Sequence, residues 1–479
     1  MLSSWKHSSD SSHSHAIVIG GSIAGLLAAQ VLSDYFSQVT IVERDCLPEQ
    51  PVPRRGVPQS YQLHVLLTQG YRILEQLFPG LEEELAEQGA PFIDWLGDCP
   101  LLLGNNWAPR SASDLRTRAC TRNLLELLIR QRLSQLQPIK LLDATKVTAL
   151  LTNPERTVVT GVQLQAQGGT TTELPAQLVI DASGRHSQTP QWLKQLEYEM
   201  PQETIVNSFL GYSSRLYEYL GNRPDYKALY IMPQAPAHTR GSVMYQVEGG
   251  RWMVSLIGVG RDYPPSDEQG FLDFAQSLRS PEVYQAIKEG HSCSPISSYR
   301  GTENCCRHYE QLSRFPANFA VVGDAVCAFN PVYGQGMTVA TLGALTLQQC
   351  LQHQRDSQQG LTGFSQRFQK QLARVNSTPW MMATGDDFRW STTEGKAPGL
   401  SVRLMHKYID QVLQLASERA KVYRVFAEVV HMLKQPTAFF HPSIVLQVLK
   451  LALNRGSSAT NKGQHILPKQ LGLSSNQSR

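Results

Sequence analysis

Residues 319–337 read FAVVGDAVCAFNPVYGQGM, and this stretch decides the fold. The apolar run 319–322 has the length of a buried strand and stops at Gly323 and Asp324. A turn-rich link through Pro331 then delivers Gly334, Gln335 and Gly336 to a helix predicted over 337–353, where Leu342, Leu345 and Gln349 keep helical spacing with the apolar residues around them. A carboxylate at a strand end followed by a glycine-rich helix start suits a polar ligand. Asp324 can accept hydrogen bonds from sugar-like hydroxyls, and the N–H groups of the 334–337 turn can meet negative charge. The plainer reading is a strand, turn and helix with an Asp cap.

Working outward, a second signal stands at the start of the chain. Residues 15–19, HAIVI, form a predicted strand, followed by Gly20-Gly21-Ser22-Ile23-Ala24-Gly25, a helix over 26–35, and a second strand, 38–42, ending in Glu43. This is a β-α-β dinucleotide unit of about thirty residues. Gly20 permits the tight turn, Gly25 permits close helix packing, and the helix start at Ser22, Ile23 and Ala24 offers N–H groups to a pyrophosphate. Glu43, about twenty residues on, stands where a carboxylate binds an adenosine ribose and argues against a 2′-phosphate, so the nucleotide is FAD or NAD. Ser22 replaces the usual middle glycine; it is small enough to let phosphate approach and carries a hydroxyl donor.

The third signal closes a predicted strand over 174–180 and reads Asp181-Ala182-Ser183-Gly184-Arg185-His186-Ser187. Its carboxylate again sits at a strand end, and Gly184 allows a turn. In this order and separation the three motifs resemble those of the FAD-dependent monooxygenases, the class of aromatic-ring hydroxylases and lipophilic-substrate epoxidases with a glutathione-reductase-like FAD fold. Ser183 departs from the pattern, since many relatives carry Asp there. The resemblance implies that Asp324 holds the ribityl chain, beside Gly323 and Pro331. It implies too that Gly334, Gln335, Gly336 and Met337 face the flavin N1 and C2 carbonyl edge, and that Asp181 and Gly184 bind a ribose or orient the FAD chain. Arg44, Arg55, Arg122 and Val147 are further implied contacts.

Arg122 opens a helix predicted over 121–133 with Thr121 as N-cap. A cation there opposes the helix dipole, so a nearby anion rationalises it; a surface arginine is the alternative. Between Glu43 and that helix runs a proline-punctuated loop with Arg54-Arg55-Gly56-Val57-Pro58-Gln59, then an amphipathic helix through about residue 77. In the resembled family this region passes close to the flavin, which makes Gln59 and His64 candidate catalytic residues. The alternative is that His64 is an ordinary helix residue and the arginines are solvated.

From 190 to 315 the composition changes. Strands are predicted over 205–210, 228–232, 242–247 and 252–259, with a helix over 266–278 and a shorter one from Pro281. The resemblance implies an inserted antiparallel sheet that roofs the flavin, with Tyr212, Tyr230, Met232, Tyr245 and Met253, and Trp252 beside them, as candidate substrate contacts; each also reads as a core residue. The tail is predicted helical over 404–415, 418–433 and 441–453. Its last apolar stripe suits packing on the substrate domain or a partner subunit better than a peripheral membrane surface.

The fold class is therefore α/β, a Rossmann-like FAD-binding domain with an inserted antiparallel β-sheet domain and a helical C-terminal region. The expected segments are a disordered lead-in (1–14), the FAD-binding domain (15–189 and 316–378), the substrate domain (190–315), the helical region (379–455) and a disordered tail (456–479). A formal charge of +4 on 479 residues is too slight to argue for nucleic acid. The eight cysteines are scattered without a Cys-x-x-Cys pair, as in a reduced cytoplasmic protein. No run reaches the length of a membrane span, and a monomer or homodimer is expected.

By resemblance, NAD(P)H binds transiently and reduces the FAD, O2 adds at the flavin C4a carbon, and the hydroperoxide hydroxylates or epoxidises a hydrophobic small molecule. The Arg54–Gln59 segment tilts this toward secondary metabolism. Two alternatives stay open: an FAD-dependent reductase of isoprenoid or polyene double bonds, and a catalytically silent flavin-binding subunit. The Trp-x-Trp-x-Ile-Pro signature of flavin halogenases is absent.

Overall fold

The computed structural model describes residues 14–221, 224–396 and 398–454. The expected lead-in and tail lie outside the described residues, Ser14 apart. The chain divides into two compact units, one of residues 1–88, 120–210 and 299–399, the other of 89–119, 211–298 and 400–479.

In the first unit, β1 (His15–Ile19), α1 (Ile23–Ser33), β2 (Gln38–Val42), α2 (Arg122–Ser134), β3 (Ile139–Leu142), β4 (Leu178–Asp181), β5 (Phe319–Val321), α3 (Gly336–Asp356) and α4 (Phe364–Asp387) follow in chain order. The strands pair in parallel in the order β5-β4-β1-β2-β3. β1 is buried along its whole length, as strands of a parallel sheet covered on both faces are. Its one polar side chain, His15, sets Nδ1 2.7 Å from the Pro175 carbonyl and Nε2 2.8 Å from Thr40 Oγ1. Burial lowers its pKa, against the Pro175 hydrogen bond that raises it, and so favours the neutral ring. Register positions the site. Ile19 lies opposite both Val42 and Asp181, and Asp181 lies opposite Val321. All three motifs therefore leave the same carboxyl edge of the sheet, where ligands of open α/β sheets bind.

The second unit is built on a mainly antiparallel sheet. Its strands run in the order His291–Ser292, Gly211–Tyr219, Trp252–Gly258, Arg240–Gln246, Ala228–Ile231, Leu101–Leu103 and Asn106–Trp107. Phe271 and Phe274 from the helix Glu268–Gln276 pack on Tyr217, Trp252, Val254 and Leu256 of one face. The tail supplies helices Leu400–Glu418, Ala420–Val430 and Pro442–Asn454. In the last of these Ile444 and Val448 are buried, while Leu446, Leu449 and Leu453 are 58%, 55% and 83% exposed, which leaves an apolar stripe in solvent. Among the described residues no helix is long and apolar enough to cross a membrane.

Several expected boundaries move. Residues 89–119, read as part of the FAD-binding domain, belong to the second unit, because Leu101 and Leu102 extend its sheet beside Tyr230 and Ile231. The strand expected over 205–210 is Glu203–Val206, paired in the first unit with Asn304–Arg307. The next strand, Gly211–Tyr219, lies inside the large sheet of the second unit, between His291–Ser292 and Trp252–Gly258, yet reads as polar. The buried Ser214 and Ser255 hydroxyls satisfy each other across the pair at 2.5 Å, so a strand of low hydrophobicity stays buried. The strand expected over 174–180 is two, Thr171–Pro175 and Leu178–Asp181, in different sheets. The helix expected after the 54–64 loop begins only at Thr68. The boundary expected at Pro379 falls inside α4, whose buried Phe364, Phe368, Leu372 and Ala383 offset an interior proline that costs about 3 kcal/mol.

Candidate functional site

At the end of β1, a Cβ on Gly20 would lie 2.6 Å from the Ala182 carbonyl oxygen, and one on Gly25 would lie 1.8 Å from the Gly20 carbonyl oxygen. The turn and the start of α1 are thus packed directly on the neighbouring backbone. No side chain caps α1 and its first turn holds no acid, which leaves the Ile23, Ala24 and Gly25 end of the helix open to an anion.

Around that start lies a buried ion network. Glu43, 5% exposed, accepts from Gly21 N (2.8 Å) and Asp45 N (3.0 Å) and lies 3.2 Å from Arg54 Nη1. Arg54 also reaches Asp45 at 2.8 Å and Glu126 at 2.9 Å. Burial alone lowers the Arg54 pKa, but Glu126, Glu43 and Asp45 together raise it, so the guanidinium is firmly charged. Ser22 Oγ donates to Glu126 and accepts from Arg122 Nη2, both at 2.6 Å. Arg122 pairs with Glu126 one turn on at 3.6 Å, so an anion of the protein itself already rationalises a cation at this helix start. The buried Nε of Arg122 meets no acceptor among the described residues. Arg44 and Arg55, expected near the cofactor, are exposed, and Arg54 takes the buried place. Val147 is buried in the strand Thr145–Thr152 of a separate three-stranded sheet in the first unit, opposite Leu164 of the strand Val159–Ala166.

The second motif works from within. Asp181 is fully buried and its carboxylate accepts from Ser183 N (2.8 Å), Ser187 Oγ (2.5 Å) and Thr189 Oγ1 (2.5 Å). It fixes the loop 183–189, where Gly184 turns, rather than facing outward to a sugar as expected.

The third motif is dressed differently. A Cβ on Gly323 would lie 2.7 Å from the Ala24 side chain, so β5 turns directly against the start of α1. Asp324, next to it, is half-buried, and its carboxylate has no hydrogen-bond or ion-pair partner among the described residues. Pro331 opens a 3-10 turn, Pro331–Tyr333, closed by Gly334 at φ +64°, and α3 begins with no side-chain cap and no acid in its first turn. Met337 is buried beneath this start, and Gln335, 3% exposed, leaves its buried Oε1 without a partner among the described residues. A free acceptor, open helix N–H groups and an unsatisfied amide oxygen are groups that a polyol and a heteroaromatic ring can complete. The residues fit FAD.

His64 Nδ1 lies 2.9 Å from the Gln62 carbonyl. Burial, then the nearby Arg122 cation, pushes its pKa down to about 3, so its imidazole is neutral at ordinary pH. Gln59 sits in the 3-10 turn Pro58–Tyr61. In the second unit, strand register puts Tyr212, Tyr230, Tyr245 and Met253 on one sheet face, opposite the face that Trp252 shares with Phe271. Tyr230 meets Trp95 edge-on at 6.2 Å, and burial raises its pKa well above the usual range. Met232 follows that strand, and its carbonyl accepts from Arg279. Trp252 is thus a core residue under the helices. Glu126 was missed in the sequence, although its spacing from Arg122, one helical turn, carried the signal.

Comparison with known proteins agrees with this geometry. Protein Rv3254 of Mycobacterium tuberculosis is 33% identical over 398 residues, 79% of this chain and 82% of its own length. Among solved structures, the flavin-dependent brominase Bmp2 superposes with a TM-score of 0.65 at 13% identity, over 93% of this chain and all of its own. PqsL, described as "a probable FAD-dependent monooxygenase from Pseudomonas aeruginosa", gives 0.58 at 16% identity, over 86% and 99%. The sequence profile of the FAD binding domain family matches residues 13–361, and the chain belongs to that family.

Proposed function

We propose that this protein is an FAD-dependent monooxygenase that takes electrons from NAD(P)H and an oxygen atom from O2 to hydroxylate or epoxidise a hydrophobic small molecule of secondary metabolism. The observation that carries the reading is the juxtaposition, on one sheet edge, of two uncapped helix starts with the unpartnered Asp324 carboxylate. The family match and the fold shared with PqsL support a flavin monooxygenase in general terms.

Bound FAD supplies the redox and oxygen chemistry. In this reading the start of α1 holds the pyrophosphate, and Glu43, fixed by Gly21, Asp45 and Arg54, presents a carboxylate to the ribose. Asp324 orients the polyol chain, and the start of α3 favours negative charge beside it. Neutral His64 and Gln59 serve as polar neighbours of the reacting centre. Tyr212, Tyr230, Met232, Tyr245 and Met253 line the substrate's approach, and the protein works in the cytoplasm as a monomer or homodimer.

The test is a visible spectrum of the purified chain, followed by NADH and NADPH oxidation in air with lipophilic aromatic and polyene candidates under labelled O2. A yellow protein whose product carries the oxygen label sustains the reading. A product that gains hydrogen and no oxygen moves it to the reductases, and a chain that does not take up FAD ends it.

A further inference from the structure

Next to the turn that leads into α3 lies a carboxylate that no motif indicates. Asp387, the last residue of α4, is 2% exposed, and every side chain bonded to it donates. Oδ1 accepts from Tyr333 Oη (2.9 Å), Asn330 Nδ2 (3.1 Å) and Ser208 Oγ (3.1 Å); Oδ2 accepts from Asn304 Nδ2 (2.6 Å) and again from Asn330 (3.3 Å). Asn330 and Tyr333 are the two ends of the turn around Pro331 and Val332. Asn330 is also fixed through its backbone, donating to Asn304 Oδ1 at 2.7 Å, and its own Oδ1 accepts from Val332 N at 3.2 Å. A single buried anion thus grips both ends of the segment that sets where Gly334, Gln335 and Gly336 stand.

A carboxylate buried among neutral donors is a costly way to stabilise a turn, since its desolvation is offset only by hydrogen bonds. Its geometric effect is specific: an acceptor-only group takes four donors at once, whereas an amide there would turn an N–H toward one of them.

We infer that Asp387 is a positioning residue of the flavin site, whose carboxylate fixes the 330–334 turn and with it the open N–H groups at the start of α3. The inference rests on reading that helix start as a flavin contact. The charged and titratable groups facing Asp387 are few. Asp386, on the same helix, lies 3.2 Å from Tyr333 Oη and is paired with Arg389 at 2.9 Å. Tyr333 comes from the turn, with its pKa raised by burial and by the two acids. Ser208, Asn304 and Asn330, from the other elements, are neutral. Burial lifts the Asp387 pKa to about 6, although Tyr333 and Asn330 hold it down. A proton there must be donated to the Tyr333 or Ser208 oxygen, which reverses one hydrogen bond of the grip.

The experiment measures the FAD dissociation constant of the full chain by flavin fluorescence between pH 5 and 8, for wild type, D387N and Y333F. Wild-type affinity is expected to weaken about tenfold as pH falls, with a midpoint near 6. D387N, checked by its melting transition, is expected to bind about tenfold more weakly throughout, with that midpoint gone. Y333F, which removes one donor, moves the midpoint upward and keeps the test alive where D387N does not fold. Folded D387N with the wild-type profile overturns the inference alone, as does an unmoved midpoint in Y333F. A wild-type chain that binds no FAD at any pH overturns the cofactor reading and takes this inference with it.

Discussion

Two helices begin at the carboxyl edge of the same sheet, and their surroundings are opposites. At α1, three carboxylates and two arginines lock together around Ser22, and both Glu43 oxygens already accept backbone N–H bonds. At α3, among the described residues, Asp324 has no hydrogen-bond or ion-pair partner, Gln335 Oε1 is buried and unsatisfied, and a Cβ on Gly336 would meet nothing within 4 Å. The first site is held by the protein's own charges and is rigid before any ligand arrives. The second keeps polar atoms for a ligand to complete. Damage at α1 should therefore appear as lost stability, and damage at α3 as lost affinity.

The hardest blow to that contrast is Glu126→Ala. It takes from Arg122 the carboxylate it pairs with and from Arg54 one of three, Glu43 and Asp45 remaining, and breaking a buried pair costs about 3–5 kcal/mol. Urea unfolding of the flavin-free protein measures it. A loss under about 1 kcal/mol, the range of exposed pairs, shows that the network is solvated and the contrast false. Next comes Gly25→Ala, whose new methyl must displace the Gly20 carbonyl 1.8 Å away. A stability loss of about 3 kcal/mol is expected from such overpacking. Its counterpart Gly336→Ala enters open space and should hold stability within about 0.5 kcal/mol while reducing flavin content.

Legibility in the sequence followed the same division. The glycines, strand ends and helix starts were readable because backbone geometry demands particular residues at fixed spacings, as at Gly20, Gly25 and Gly323. Side-chain partnership was not. Asp181 and Asp324 both close a strand before a glycine-rich turn, yet one is consumed by Ser183, Ser187 and Thr189 while the other stays open. Arg54 and Arg55 differ only by which way an irregular loop turns them, and no periodicity fixes that. Asp387 was invisible because its partners, Ser208, Asn304 and Asn330, come from segments more than fifty residues away. The strand Gly211–Tyr219 escaped because buried serines mimic a surface pattern.

A smaller effect tests the α1 side through pH. The unfolded imidazole titrates near 6.5, whereas burial and Arg122 push the His64 pKa down to about 3 in the fold. Between these values the unfolded chain binds a proton that the folded chain refuses. The stability present above pH 6.5 is therefore lost as pH falls, by up to about 1.4 kcal/mol at pH 5.5 for one such group. His431, pushed down to about 3 by burial in the other unit, contributes in the same direction. His64→Gln should make the acid limb of the stability curve shallower without flattening it. An unchanged limb places His64 in water and removes it from the surroundings of Arg122.

The smallest effect on stability is expected where the effect on binding is clearest. Asp324→Asn keeps the shape of a side chain that holds nothing in the fold, so the melting transition should move by no more than about 0.5 kcal/mol allows. The carboxylate is the stronger acceptor, because hydrogen bonds to a charged group are worth about twice those to a neutral one. If it receives ligand hydroxyls, the amide should weaken FAD binding about tenfold at unchanged stability. Loss of stability without loss of affinity would make Asp324 a structural residue like Asp181. The contrast between the two helix starts would then rest on Gln335 and Gly336, and the open acceptor at α3 would no longer distinguish the ligand-completed site from the self-completed one.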